Sequence, residues 1–349
     1  MFKGGQPNKD FRGEYMLSLR AQVVLALGLL IGAHATSFAT TYTISDGDSC
    51  QKVPGGFTTR TIQNGDVFCI MPMNYVLQAQ DIIQVQPIIA PGNYHNVFLA
   101  TSNLPGARGS QVTIRGRLEL YSDHPTLTDY FDGILYVGGL NDYRDTVIVS
   151  EEGTVTVRGT IHNRGNFISR GTIETTFMGS YDHNVIFNCG HFVNVGVLTL
   201  GDSANEGYGT MNSGPCGTGI ANDFINIGGI NVSSGQVSFH PNSSFENDGS
   251  ISTEGSALPW FKVVNTGGKM LNGSTGRFTV PQGMRGLSIQ SGSLANNGTV
   301  TNAASGGVLN CGTWTGALPT PNSYVTTPCS GAALQRAKWP KRLEAVFGR

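Results

Sequence analysis

The amino-acid sequence predicts an all-β protein, a single-stranded parallel β-helix (solenoid) with an N-terminal β cap and disulfide staples. Three observations lead to this prediction. The composition is rich in strand and turn formers, a seven-residue motif recurs along the chain, and the six cysteines fall into three local pairs. A β-sandwich with Gly-rich hairpins is the alternative fold that these observations leave open.

The composition is β-rich and turn-rich. Of the 349 residues, 13% are charged and 48 are glycine, whereas an average soluble protein has roughly 25% charged residues and roughly 7% glycine. The formal net charge of −1 provides no general attraction to nucleic acid or to an anionic membrane. We therefore expect no nucleic-acid partner.

The first 39 residues have the pattern of an export signal. The apolar run Val23–Ile31 is too short to span a bilayer with margin, and small-residue cleavage sites follow at Ala33–Ala35 and Ser37–Ala39. We predict a signal peptide over residues 1–39, with Met16 as an alternative start. The expected product is secreted or at the cell surface, without a transmembrane segment after cleavage; an uncleaved anchor is the alternative.

The six cysteines are consistent with export, because disulfides form in oxidising compartments. No Cys-x-x-Cys occurs, and no histidine stands at zinc-site spacing from a cysteine. Wide separation in an elongated fold favours nearest neighbours, so we predict three local disulfides. The predicted pairs are Cys50–Cys69, Cys189–Cys216 and Cys311–Cys329.

The recurring motif is hydrophobic–x–Asn–x–Gly–x–hydrophobic. Alternating apolar residues describe a short strand with one buried face. Asn-x-Gly makes a compact corner, because Gly tolerates positive φ and Asn bonds to nearby backbone. Stacked corners would let the Asn amides form a ladder between coils. The predicted corner residues are Asn163 and Gly165, Asn194 and Gly196, Asn226 and Gly228, Asn247 and Gly249, Asn296 and Gly298, and Asn310 and Gly312, with a degraded copy at Asn265 and Gly267.

The spacing of the motif sets the predicted domain boundaries. Successive motif asparagines lie 14 to 32 residues apart, which fits a coil of roughly 20 residues with occasional longer loops. We assign residues 111–316 to the β-helix repeat domain. Residues 40–110 have strand character without Asn-x-Gly corners, so we assign them to an N-terminal β cap. Residues 317–349 are predicted to form a C-terminal cap and a basic tail.

The region from about Val112 to Trp314 resembles secreted right-handed β-helix surface proteins. It is most similar to the repeat regions of bacterial surface adhesins and autotransporter passenger domains. Fungal cell-wall adhesins with β-helical N-terminal domains use similar Gly/Asn-rich strands. Such families imply surface display, adhesion or, in some members, cleavage of polysaccharide.

The repeats and the resemblance favour a non-catalytic protein with adhesin-like binding of a surface glycan, a polysaccharide or extracellular matrix. Aromatic side chains outside the motif can stack on sugars, so Trp260 and Tyr208 are the candidate binding residues. Trp314 occupies an apolar motif position and is expected in the core. A structural coat component that polymerises end to end is an alternative function.

A carbohydrate-active enzyme on the same scaffold, either a polysaccharide lyase or a glycoside hydrolase, is the other alternative. Its catalytic residues would be Asp123, Asp129 and Asp132, because glycosidic hydrolysis uses paired carboxylates. Calcium, which takes oxygen ligands, would suit β-elimination in this stretch; beyond calcium we predict no cofactor and no metal site. A solvated turn accounts for the same residues without any chemistry.

Overall fold

The computed structural model of the protein describes residues 39–62, 65–90, 93–102, 109–123, 131–138, 144–175, 186–201, 210–214, 222–254, 261–282, 284–302, 307–322 and 325–326. The chain divides into two units between Ala39 and Thr40. All but the last residue of the predicted signal peptide lies outside the described residues. Within the described residues of the second unit, the chain forms strands joined by turns, and a short helix, α1 (Gly47–Gln51).

Three ladders of parallel strands form the fold, and successive turns of the chain add strands to them in the same order. Ladder A is a 10-stranded sheet. It consists of β1 (Thr41–Ile44), β5 (Ile82–Val85), β10 (Arg117–Leu120), β14 (Thr154–Val157), β17 (Thr172–Thr175), β20 (Val197–Leu200), β23 (Gly229–Val232), β26 (Ser250–Thr253), β28 (Arg277–Val280) and β30 (Thr299–Asn302).

Ladders B and C occupy the other two sides of each coil. Ladder B consists of β3 (Val67–Ile70), β8 (Val97–Ala100), β12 (Phe131–Val137), β15 (Thr160–Asn163), β18 (Ile186–Asn188), β21 (Thr210–Ser213), β24 (Gln236–Phe239), the first halves of β27 (Val263–Asn272) and β29 (Leu287–Asn296), β31 (Val308–Asn310) and β33 (Val325–Thr326). Ladder C consists of β4 (Val76–Leu77), β9 (Gln111–Ile114), β13 (Thr146–Val149), β16 (Asn166–Ser169), β19 (His191–Asn194), β22 (Asn222–Asn226), β25 (Ser243–Asn247), the second halves of β27 and β29, and β32 (Thr313–Gly316).

The predicted parallel β-helix is confirmed, and the β-sandwich alternative is wrong. Each ladder strand pairs in parallel with its equivalent one coil away, whereas a sandwich is built from antiparallel neighbours. Because β27 and β29 run through a corner without a break, ladders B and C form one sheet, which has 21 strands when the antiparallel β2 and β11 are included. The described antiparallel strands are short additions. They are β2 (Thr58–Thr61) on β3, β11 (Ser122–Asp123) on β12, and the hairpin β6 (Ile88–Ala90) with β7 (Asn93–His95).

The parallel ladders extend into the segments predicted as caps. β1 pairs with β5 and β5 with β10, so ladder A begins at Thr41. β2 pairs antiparallel with β3, the first strand of ladder B, and α1 is joined to β3 by the disulfide between Cys50 and Cys69. At the other end, Thr320 forms a parallel bridge with Thr301, and β33 pairs with β31. The predicted basic tail beyond Thr326 lies outside the described residues.

For one predicted disulfide, both cysteines are described and bonded to each other. Cys50, in α1, is bonded to Cys69, in β3, with a Cα–Cα distance of 5.6 Å. Cys189 and Cys311 are also disulfide-bonded. Their predicted partners, Cys216 and Cys329, lie outside the described residues, so these two pairings stay predictions.

The core lies between the ladders, where inward side chains stack from coil to coil. On ladder C the column is aromatic over four coils, with ring centroids of neighbouring coils 5.0, 5.2 and 5.1 Å apart. The four rings are those of Phe167, Phe192, Phe224 and Phe245. Aromatic pairs of this kind contribute about 0.5–1.5 kcal/mol beyond their buried area. Trp314 packs partly buried at the far end of the column, as its motif position predicts.

The Asn-x-Gly motif serves two different corners. Asn163 ends β15 and turns the chain from ladder B to ladder C. Its Oδ1 accepts the N–H of Gly165 at 3.1 Å, and its amide donates to Oδ1 of Asn188 at 2.8 Å. Asn265 accepts from Gly267 at 3.0 Å in the same way. Asn310 also stands at this corner, at the end of β31.

The corner from ladder C to ladder A carries a continuous amide ladder. Each side-chain amide donates to the side-chain oxygen of the next asparagine at 2.7–2.8 Å. The members are Asn194, Asn226, Asn247, Asn272 and Asn296, all buried. The expected side-chain ladder is therefore present. Asn272 was missed because its corner reads Asn-Gly-Ser rather than Asn-x-Gly.

The two corners account for part of the irregular motif spacing. Along the ladder of the second corner the separations are 32, 21, 25 and 24 residues, which is the length of one coil. Asn163, Asn265 and Asn310 belong to the first corner, so counting all motif asparagines as one series mixes two registers.

Close approach between coils, rather than positive φ, explains most motif glycines. A Cβ on Gly196 would lie 2.0 Å from the carbonyl oxygen of Gly171, and one on Gly228 would lie 2.1 Å from that of Gly196. Gly249 meets the Gly228 oxygen in the same way, at 2.1 Å. These glycines do not have positive φ, whereas Gly267 does, at 147°. Tolerance of positive φ therefore explains only Gly267, in the degraded copy of the motif.

Candidate functional site

A cleft of about 460 Å³ lies at the N-terminal end of the solenoid, and its lining residues belong to the part of the chain that the structure describes. Strand β1, the loop after α1 and the turn before β4 meet there. The volume falls within the roughly 300–1,000 Å³ typical of small-molecule sites. The lining combines two tyrosines with amide, carboxylate and apolar side chains.

Tyr75 is held firmly in the wall of the cleft. Its backbone carbonyl accepts the N–H of Thr113 at 2.8 Å, and its ring packs edge-on against Phe57 with centroids 4.8 Å apart. Burial raises the pKa of Tyr75 to about 12, with Asp81 and Tyr42 adding to the effect. The Tyr75 hydroxyl therefore stays protonated at neutral pH and can donate a hydrogen bond.

Two backbone features shape the space around this ring. Gly55 has a φ of 113°, and a Cβ there would lie 3.2 Å from Cε2 of Tyr75. Asn74 has a φ of 58°, a conformation that Asn tolerates better than most residues. The chain can therefore turn sharply just before Tyr75, with Gly55 close against its ring.

Tyr42 supplies the second aromatic surface. It lies in β1, in register with Ile83 of β5, and packs partly buried against the core. Both Tyr42 and Tyr75 are thus half-buried rings with one side on the core and part of their surface in the cleft. Such rings combine an apolar body with a polar tip.

The polar side of the cleft is formed by a tight turn between β4 and β5. The N–H of Asp81 donates to the carbonyl of Gln78 at 3.0 Å. A Cβ on Gly116 in the next coil would lie 2.2 Å from the Gln78 oxygen and 2.3 Å from the Asp81 oxygen. Because this turn rests directly on the Gly116 backbone, the main chain that carries Gln78 and Asp81 has a fixed position beside the next coil.

An apolar rim completes the cleft. Met73 and Val76 are 56% and 37% exposed, and Pro54 and Pro72 also line the cleft. A flexible thioether such as that of Met73 adapts to irregular ligand surfaces. The cleft can therefore contact the apolar face of a ligand and bond its polar edge at the same time.

The lining offers hydrogen-bonding groups and aromatic surfaces. Hydrolysis of a glycosidic bond uses two carboxyl groups across the scissile bond, and Asp81 is the one carboxylate among the lining residues. Carboxylate and amide oxygens accept hydrogen bonds from hydroxyl groups, and amide nitrogens donate to them. These groups can contact a ligand that has an apolar face and a polar rim.

Asp132, one of the predicted catalytic carboxylates, is not among the residues that line this cleft. Asp132 is 3% exposed, its N–H donates to Oδ1 of Asn96 at 2.9 Å, and its carboxylate accepts the Thr160 hydroxyl at 2.8 Å. These bonds link three successive coils, which is a structural role. Asp123 lies in β11, and Asp129 lies outside the described residues.

The predicted binding residues Tyr208 and Trp260 also lie outside the described residues. Tyr42 and Tyr75 are not among the predicted binding residues, because the cap predicted for residues 40–110 gives their segment a structural role only. A local signal was present, since Pro72-Met-Asn-Tyr75 places turn residues and an aromatic just after β3, the strand that contains the disulfide-bonded Cys69.

Among the described residues, no group of three or more His, Cys, Asp or Glu side chains is placed to hold a metal ion. In the same part of the chain, no helix has the length and apolar character needed to cross a membrane. The chain matches no protein-family model, no curated protein and no solved structure.

Proposed function

We propose that this β-helix protein is a secreted or surface-displayed, non-catalytic binder of glycans, and that the N-terminal cleft is its binding site. The observation that supports the proposal most directly is the placement of two half-buried tyrosines, Tyr42 and Tyr75, with the Asp81 carboxylate in one open cleft. Stacking on the rings would hold the sugar face, and Asp81 would bind adjacent hydroxyls.

The charge of the lining favours a particular class of glycan. Asp81 is its one charged residue, and a carboxylate repels sulfated or uronic-acid polymers at close range. Neutral sugars, or sugars carrying an amine, are therefore the expected ligands. A cleft of this size and openness gives a weak single-site affinity, roughly 0.1–1 mM.

The test is a binding screen of the full chain against neutral, amino and acidic polysaccharides, followed by titration calorimetry with oligosaccharides of the retained polymer. Tyr42→Ala is expected to weaken binding about tenfold or more, since it removes one stacking surface. Tyr121→Ala is the matched control, because Tyr121 is a half-buried tyrosine outside the cleft.

Two outcomes would contradict the proposal. Retention on no polymer, or retention that survives Tyr42→Ala and Asp81→Asn unchanged, would remove the cleft as the binding site. New reducing ends or unsaturated products would replace the binding function with the enzymatic alternative.

A further inference from the structure

We propose that the outward face of ladder C is a self-association surface, through which two copies of this chain pack side by side with their solenoid axes in opposite directions. This face is separate from the cleft, so the inference stands whether or not the cleft binds glycan. Three properties of the face carry it: an aliphatic column, an exposed aliphatic corner and a self-complementary order of charges.

The aliphatic column consists of outward side chains in the same register position on four successive strands. Ile148 pairs with Ile168, Ile168 with Val193, and Val193 with Ile225. All four are partly exposed. Neighbouring strands lie about 4.8 Å apart, so the four β-branched side chains form one continuous stripe.

The stripe continues onto the corner between ladders C and A. Val195 and Ile227 occupy equivalent corner positions, since their N–H groups donate to the carbonyls of Ser169 and Asn194 one coil earlier, at 2.7 and 2.8 Å. They are 42% and 53% exposed, and Val197 beside them is 42% exposed. Contiguous exposed aliphatic side chains of this kind mark interaction surfaces more often than scattered ones do.

Charges flank this corner in a defined order. The N–H groups of Arg170 and Asp248 make the same bond to the preceding coil, each at 2.8 Å, so these residues belong to the same column. Along the solenoid the column reads Arg170, Val195, Ile227, Asp248. A cation stands at one end, an anion at the other, and two aliphatic residues lie between them.

When two copies lie in opposite directions, the charges of this column are complementary, because the arginine of each copy meets the aspartate of the other. A two-fold axis along the strands, between β19 and β22, places Val195 opposite Ile227 of the second copy and Arg170 opposite Asp248 of the second copy. Such an interface is isologous, with the same patch used twice. A two-fold axis along the solenoid would instead place Arg170 against Arg170, which costs free energy by like-charge repulsion. Charge complementarity therefore selects the opposite-direction arrangement.

In the central column, two of the three pairs that face one another under the same operation are apolar. Val193 would face Ile225 of the second copy, and Ile148 would face Leu271, which follows Glu246 in the same column. Ile168 would face Glu246, whose carboxylate lies two residues from Asp248 and can also approach Arg170. The contact spans about six strands, or roughly 25 Å, so its area is at the low end for specific interfaces and a weak dimer is expected, with Kd roughly 10–100 μM.

Dimerisation would also affect glycan binding, a consequence that rests on the proposed function of the cleft. Each cleft lies about four to five coils from the two-fold axis, so the dimer would hold its two clefts about 40 Å apart at opposite ends. Two linked sites on one polymer raise the apparent affinity by effective concentration alone. The dimer can therefore bind a polymer firmly although each cleft binds it weakly.

Sedimentation velocity of the full chain in the absence of glycan, from about 1 to 500 μM, tests the surface. The dimer is expected to appear over this range. Ile227→Glu should weaken it about tenfold or more, because it introduces a charge at the centre of the contact. Leu318→Glu is the matched control, since Leu318 is equally exposed, at 53%, but lies outside the patch. A monomer at every concentration, or association unaffected by Ile227→Glu, would overturn the proposal.

A charge exchange tests the pairing without relying on apolar residues. Arg170→Asp and Asp248→Arg should each weaken the dimer, because each leaves two like charges facing one another. The double variant should restore it to within about threefold of the wild type. Failure of the double variant to recover, with an unchanged thermal unfolding midpoint, would exclude the opposite-direction pairing.

Discussion

The side-chain amide of Asn226 donates to the side-chain oxygen of Asn247 at 2.7 Å, with both residues buried. The amide of Asn247 in turn donates to Asn272 at 2.7 Å. Each interior member of the row therefore accepts from one coil and donates to the next. Hydrogen bonds in such a chain polarise one another, so the row links successive coils at the corner where ladder C ends.

Removing an interior asparagine is expected to destabilise the solenoid. Asn247→Ala leaves the Asn226 amide and the Asn272 oxygen without their ladder partner, which should lower the free energy of unfolding by about 2–4 kcal/mol. Urea denaturation followed by circular dichroism measures the loss. Asn297→Ala, at an exposed position of the same corner, should change stability by less than about 0.5 kcal/mol. Equal effects from the two variants would show that the amide row contributes nothing of its own.

Two adjacent glycines are expected to respond differently to the same substitution. A Cβ on Gly228 would lie 2.1 Å from the Gly196 oxygen, whereas one on Gly229 meets nothing nearer than Oγ of Ser250 at 3.7 Å. Gly228→Ala should destabilise by about 1–3 kcal/mol. Gly229→Ala should be neutral or stabilising by up to about 1 kcal/mol, because alanine restricts the unfolded chain. Thermal unfolding midpoints compare them, and a neutral Gly228→Ala would contradict the close-approach explanation.

The buried amine of Lys262 is expected to make stability depend on alkaline pH. Lys262 is 1% exposed, its Nζ donates to the carbonyl of Ser233, and burial lowers its pKa to about 8. Between pH 8 and about 10.5 the unfolded chain keeps this proton while the folded chain does not, so the free energy of unfolding rises with pH. The rise should reach about 3 kcal/mol and be absent in Lys262→Met.

The exposed Lys269 provides the control for this titration. Lys269→Met should keep the same pH dependence as the wild type when both are measured by urea denaturation at a series of pH values. A wild-type curve that is flat above pH 8, or one that Lys262→Met leaves unchanged, would show that the amine is charged or hydrated in the folded protein.

The disulfide between Cys50 and Cys69 is expected to maintain the cleft as well as the fold. The bond closes a 19-residue separation, so replacing both cysteines by alanine should cost about 3 kcal/mol. It also frees α1 from β3, and with it the Pro54–Gly55 wall against Tyr75. Glycan titration of the double variant, at a temperature where circular dichroism shows the ladders intact, should show weaker binding. Unchanged affinity would mean that packing alone maintains the cleft.

The repeat motif could be predicted from sequence because its information is local. Alternating apolar residues define a short strand, and the turn chemistry of Asn and Gly defines a corner. The same local view misjudged the role of Gly228, since the carbonyl that excludes a Cβ there belongs to Gly196, one coil away. It also missed Asn272, which joins the amide row despite a different corner sequence.

The turn sequence before Tyr75 gave a local signal, but the pairing of Tyr75 with Tyr42 in one cleft could not be predicted from sequence for a related reason. Tyr42 and Tyr75 carry no shared motif, and their proximity depends on β1 and β4 lying at the same end of the solenoid. The catalytic hypothesis rested on the density of carboxylates near Asp132, but pattern alone does not tell a solvated carboxylate from one bonded to Thr160 in the next coil.

By itself, the sequence determined a parallel β-helix made of short strands and Asn-containing corners, with a disulfide near its N-terminus. Only the tertiary structure decided which corner each asparagine turns, which carbonyl each glycine meets and which side chains share the cleft. The physical reason is that strands and turns arise from neighbours along the chain, whereas stacking partners are separated by a whole coil. Since that coil varies from 21 to 32 residues along the amide row, no fixed spacing in the sequence specifies the contact.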